Sequence, residues 1–152
     1  MIIAAIALRL REANGPHVVV VGPDQSPSAF DRLTMDADRH AAIRKLREGD
    51  LHGRLHAYSA RPSRGSAVIV HSKVVIVDDR LVRVGSANLN NYSLVLDSEC
   101  DVVLESRGEP DEVAIRRAIL AFRHRLIDHY IGRAADEIEA AIARLGSLHA
   151  AI

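Results

Sequence analysis

His71 and Lys73 stand two residues apart in the run Val70-His71-Ser72-Lys73-Val74-Val75-Ile76-Val77-Asp78-Asp79. The run is rich in β-branched residues and predicts a strand, along which side chains alternate between faces. His71 and Lys73 therefore share one face, while Val70, Ser72, Val74 and Ile76 take the other. An imidazole can attack phosphorus or move a proton near neutral pH. An ammonium is a compact cation that only donates. Taken alone, one polar pair is also what a solvent-facing strand shows. The segment Gly85-Ser86-Ala87-Asn88 shifts that balance. Ser86 and Asn88 repeat the two-residue spacing and bring neutral donors, and Gly85 lets backbone approach a ligand closely. Converging at one mouth, Lys73, Ser86 and Asn88 would cradle a phosphate oxyanion beside His71.

The elements that must hold these groups can be read from the surrounding pattern. The strand spans 67–77, Asp78-Asp79-Arg80 turns it, and 81–84 returns, so the motif rides on a hairpin. Another strand covers 99–105. Upstream, an amphipathic helix starts the chain and ends near Asn14-Gly15. A short buried strand follows over 17–21, then a loop over 25–33. A helix capped by Thr34 runs to about Glu48, with Met35, Ala42, Ile43 and Leu46 on one face and Gly49 as its stop. A strand over 55–58 leads into a Pro/Gly/Ser loop, 60–66. Downstream, Pro110 opens a long helix with Ile115, Ile119, Phe122, Leu126 and Tyr130 in one stripe and Gly132 as its stop. A last helix covers about 134–145. Helices and strands alternate early, so the fold class is α/β with a mixed sheet flanked by helices.

The 152 residues are enough for one domain with a real core, and 48% are hydrophobic. With 3% aromatics and no Trp, Val, Ile, Leu and Ala must build that core. Basic and acidic residues balance at 20 each, which argues against a general nucleic-acid binder. The one cysteine, Cys100, excludes an internal disulfide framework. The first apolar run is too short to span a bilayer, lacks a basic leader and reaches charge at Arg9, so neither a signal peptide nor a transmembrane segment is expected. A cytoplasmic or membrane-peripheral location is favoured.

His71, Lys73, Asp78, Gly85, Ser86 and Asn88 resemble the HKD signature of the phospholipase D superfamily, and the run Leu96-Asp97-Ser98-Glu99-Cys100-Asp101 is similar to that family's downstream acidic strand. The flanks, LRLREANGPHVVVVGP and LIDHYIG…LGSLHAAI, resemble the second half of bacterial phospholipase D or transphosphatidylase-like proteins. The resemblance implies a single half-domain over 1–152 carrying one HKD motif. It also implies a phosphodiesterase that hydrolyses or transfers phospholipid headgroups. One histidine forms a phosphohistidine, and a second, from another copy of the motif, protonates the leaving alcohol. No metal or other cofactor is implied. In a second half, acid/base is the favoured role for His71. The resemblance also implies that Glu99 orients an imidazole. Asp78, though in the catalytic signature, sits at a turn and is expected to be structural. The second histidine is expected from a homodimer mate or from a missing first-half HKD domain.

Two other readings stay open: a nuclease of the same superfamily acting as a dimer, disfavoured by the neutral charge, and a non-catalytic truncated remnant of a two-motif enzyme. Peripheral membrane contact is compatible with a phospholipid substrate. His52 and His56 would share a helix face, but strand-like residues follow, so a metal site is not expected. His124 and His129 do not share a face and are expected to be solvated, and Cys100 is expected to be a small buried hydrophobe. Arg61 and Arg64 lie in a loop before the motif. Arg39, Arg44, Lys45 and Arg47 are expected on an exposed helix face. Tyr92 stands where those relatives often carry Arg.

Overall fold

A Leu/Ile/Ala-rich start and a β-branched run form the first two elements: α1, Ile2–Leu10, and β1, Val18–Pro23. The computed structural model describes residues 2–23, 36–60, 70–88, 96–108 and 110–152. The expected 25–33 loop, the Thr34 cap, Met35, Arg61, Arg64, residues 67–69 and Tyr92 lie outside them. Two compact units divide the chain, one holding residues 1–70 and 89–96, the other 71–88 and 97–152.

In the first unit α2 (Ala37–Gly49) precedes β2 (Leu55–Ala60), which pairs parallel with β1 from Val18↔Leu55 to Pro23↔Ala60. Ala7, Leu10 and Leu46 form its buried centre, with Ile3, Ile6, Val18, Ile43 and Leu55 packed around them. Gly49 is required where α2 meets α1, because a Cβ there would run into the backbone of Ala7. Past α1, the buried Arg54 guanidinium donates to the carbonyls of Glu12, at 3.0 Å, and Ala13. The Asp50 carboxylate accepts from the N–H groups of Arg54 at 2.8 Å and Leu55 at 2.9 Å. Burial pushes the Asp50 pKa up, but the N–H donors of Arg54, Leu55 and His52 outweigh it and hold the group below its ordinary value. Arg44, Lys45 and Arg47 are exposed as expected, and Arg39 is half-buried against Asp36 at 3.1 Å. His56 lies in β2, not on a helix with His52.

In the second unit β3 (Lys73–Val77), β4 (Leu81–Gly85) and β5 (Asp101–Glu105) form an antiparallel sheet in that order. Pairs such as Val74↔Val84 and Val84↔Val102 fix which side chains share a face. Val74, Ile76, Val82, Val84, Val102 and Leu104 lie on one face. Lys73, Val75, Val77, Arg83, Gly85, Asp101 and Val103 lie on the other. The first face meets α3 (Glu112–Ile131): Val82, Val84 and Leu104 enclose an apolar groove with Ala118, Ile119 and Phe122. α4 (Ala135–Leu145) and the short α5 (Leu148–Ala151) follow, burying Ile138, Ala141 and Ala151. Gly132 and Gly146 close α3 and α4 in the left-handed conformation, φ 73° and 78°.

Both parallel and antiparallel pairing and flanking helices occur, as the α/β expectation required, in two separate small sheets among the described residues. Several boundaries differ. α1 stops at Leu10, before Asn14; β3 begins at Lys73, so His71 precedes the strand; and β5 begins two residues after Glu99. The buried face of α3 is wider than its apolar stripe. Ile119 of that stripe is buried and Ile115, Phe122, Leu126 and Tyr130 are half-buried, while His124 and Ile127, outside the stripe, are buried as well. His124 is only 2% exposed, correcting the expectation of a solvated ring.

Candidate active site

Register gathers the motif at one end of the antiparallel sheet. Lys73 pairs with Gly85, and Gly85 pairs with Asp101. His71 therefore lies just before β3, Ser86 and Asn88 just after β4, and Glu99 just before β5. His71 and Ser86 are exposed; Lys73, Asn88 and Glu99 are half-buried.

Lys73 Nζ lies 3.0 Å from His71 Nε2. An ammonium has no lone pair, so Nε2 is the acceptor and the proton of a neutral ring sits on Nδ1. The Ser72 hydroxyl meets the phenol of Tyr130 on α3 at 2.7 Å, on the opposite face. The two-residue alternation thus holds even though 71 and 72 are outside the strand.

Ser86 extends the β4–β5 ladder by one residue: its N–H donates to Cys100 O at 3.1 Å. Its hydroxyl accepts from the Cys100 N–H at 3.0 Å and donates to Glu99 Oε2 at 2.5 Å. Glu99 thus accepts the Ser86 hydroxyl. Cys100 is exposed, correcting the expected burial; among the described residues β5 is an edge strand, and Val102, Val103 and Leu104 are exposed as well.

Asp78 stands at the other end of β3, about 17 Å of strand away from Lys73. Asp78 and Asp79 both adopt left-handed backbone, φ 49° and 53°, and the Arg80 N–H closes the turn on Val77 O at 2.9 Å. This is the I′ geometry that favours Asp, Asn and Gly. Asp79 forms an ion pair with Arg123 of α3, Arg123 Nη2 lies 3.2 Å from His124 Nε2, and His124 Nδ1 lies 3.3 Å from Glu139 of α4. Burial lowers the His124 pKa and Arg123 adds to the effect, against the opposing pull of Glu139 and Asp79.

Sequence reasoning passed over Arg83 and Asp101. Their side chains form an ion pair at 2.7 Å on the face of Lys73. The signal was present: Arg83 alternates with Gly85, and Asp101 with Glu99. Among the described residues no cluster of three or more His, Cys, Asp or Glu could hold a metal ion, and no helix is long and apolar enough to cross a membrane.

A family profile described as the phospholipase D-like domain of cardiolipin synthase matches residues 2–119, more than half of the chain. The chain belongs to this phospholipase D-like family. It is 33% identical to cardiolipin synthase A of Pseudomonas putida over 107 residues, covering 70% of this chain and 20% of the relative. It is 33% identical to phospholipase D A of Dictyostelium discoideum over 88 residues, covering 52% of this chain and 7% of the relative. With phospholipase D zeta 2 of Arabidopsis thaliana the identity is 45% over 58 residues, covering 37% of this chain and 5% of the relative. This phospholipase D-like chain therefore spans a fifth or less of the curated relatives that it matches here. No solved structure is significantly similar to it.

Proposed function

We propose that this chain supplies one half of a phospholipase D-type active site, which hydrolyses phospholipid headgroup esters or transfers them to an alcohol. The observation that carries the reading is the 3.0 Å contact of His71 Nε2 with Lys73 Nζ at the sheet end where Ser86 and Glu99 also meet. Both units, residues 1–152, belong in this reading to one half-domain.

Lys73 leaves His71 for a phosphate oxygen when substrate enters, which uncovers the Nε2 lone pair. One imidazole then attacks phosphorus; the P–O bond to the leaving alcohol breaks, and the second imidazole gives that oxygen its proton. Water or an acceptor alcohol, deprotonated by the second imidazole, attacks the phosphohistidine and releases the first ring. As part of a second half, His71 takes the acid/base role; in a symmetric dimer each His71 takes either. Lys73, Ser86 and Asn88 hold the phosphate oxygens, the Ser86 hydroxyl turning from Glu99 to do so. Asp78 shapes the hairpin. The residues act with neither metal nor cofactor.

One imidazole cannot stand on both sides of phosphorus, and loss of general-acid help costs about 10² to 10⁴ in rate. A monomer is therefore expected to be nearly inactive, and a dimer mate or a separate first-half HKD domain restores turnover. The test is an assay in EDTA on a phosphatidylcholine analogue, beside single- and double-stranded DNA, with light scattering to fix the oligomeric state. A rigorously monomeric preparation turning over at about 1 s⁻¹ or faster overturns the two-histidine requirement. Cleavage of DNA alone assigns the nuclease reading. Activity lost in EDTA and rescued by Mg²⁺ sinks the mechanism.

A further inference from the structure

Gly85 is the middle member of the row Lys73–Gly85–Asp101, three directly paired residues on one sheet face. The Asp101 carboxylate leans over Gly85 so far that it occupies the place of a Cβ there, and the Cys100 carbonyl would lie 2.7 Å from the same Cβ. Opposed Cβ positions on paired strands are roughly 5 Å apart, so this carboxylate, reaching from β5 over Gly85 of β4, comes beside the root of the Lys73 side chain on β3. Arg83 binds its Oδ2 at 2.7 Å, one step further along the same face. The Asp101 carboxylate thus has Oδ1 over Gly85, in the row of Lys73, and Oδ2 on the Arg83 guanidinium. The side chains are only 22% and 26% exposed, so water screens the pair incompletely.

Resting on the phosphate-site reading above, we propose that Asp101 is a specificity-determining residue that selects monoanionic phosphodiesters over dianionic phosphomonoesters, with Arg83 setting how strongly its charge is felt. Coulomb energy is linear in ligand charge, so whatever factor the carboxylate imposes on a monoanion is squared for a dianion. At roughly 8 Å and a dielectric constant between water and protein, that factor is on the order of threefold for a diester and tenfold for a monoester. The same selection favours release of a phosphomonoester product.

The experiment is an NMR titration of the full chain with dimethyl phosphate and with methyl phosphate at pH 8. It compares wild type, Asp101→Asn, Arg83→Gln and the double variant, each checked for a native-like amide spectrum. Asn keeps the shape of Asp, and Gln keeps an amide donor toward Oδ2. Asp101→Asn is expected to tighten methyl phosphate about tenfold and dimethyl phosphate about threefold. Arg83→Gln is expected to weaken both, the monoester more, and the double variant to fall between the two. Equal weakening by both single variants would mean that the ion pair only holds the strands together, which overturns the proposal. So would the absence of any change. Wild type binding neither ligand would remove the phosphate-site reading itself, and this inference with it.

Discussion

Lys73 Nζ stands 3.0 Å from His71 Nε2, so in the proposed site the cation that would hold a phosphate and the imidazole that would do the chemistry start in contact with each other. The two-residue spacing on extended chain produces that contact.

Lys73→Met should therefore separate binding from folding. Turnover is expected to fall about 10²- to 10³-fold, as for loss of one oxyanion donor, and affinity for vanadate should fall with it. His71→Gln should abolish turnover while keeping vanadate binding. Steady-state kinetics and a vanadate titration make the comparison; full vanadate affinity in Lys73→Met would take Lys73 out of the site.

Glu99→Gln tests the carboxylate that accepts the Ser86 hydroxyl. The amide keeps an acceptor but loses the charge, which in the proposed reading orients an imidazole and stabilises its protonated form. Turnover is expected to fall about tenfold or more with an unchanged melting temperature. A wild-type rate would leave Glu99 as a strand-end residue only.

Asp78 needs left-handed backbone, φ 49°, and lies at the far end of β3 from Lys73. Asp78→Gly is expected to fold with near-wild-type stability and to retain turnover. Asp78→Val should lose about 1–3 kcal/mol, because a β-branched residue is strained there. Urea unfolding reads the stability. A folded Asp78→Gly protein without activity would restore a chemical role to this carboxylate.

His124 gives the second unit a pH-dependent stability. Burial and Arg123 lower its pKa in the folded state below the ordinary 6.5, so the unfolded chain binds the proton more readily. Stability should be complete above 6.5 and decline as pH falls through and below that value. Arg123, Glu139 and Asp79 are the charged groups facing the ring. His124→Gln should flatten the acid limb of a plot of melting temperature against pH. An unchanged slope would show that another group carries it.

The sequence by itself marked the candidate chemistry-bearing set and much of its scaffold. Alternation put His71 and Lys73 on one side and Ser72 on the other, and Asp78-Asp79 marked a hairpin turn because few residues tolerate left-handed backbone. Gly132 marked a helix end for the same reason. These are local properties, set by sterics and by the two-residue period of extended chain. Tertiary structure decided what no local pattern encodes. It gave Glu99 a hydroxyl as partner, because the ladder runs on past Gly85 and brings Ser86 against Cys100. It exposed Cys100 by leaving β5 at the sheet edge. It buried His124 between Arg123 and Glu139 of α4, and it leaned Asp101 across Gly85 of the Lys73 row. Register and helix packing join residues far apart in the chain, so burial, charge partners and the electrostatics around Lys73 are properties of the folded protein alone.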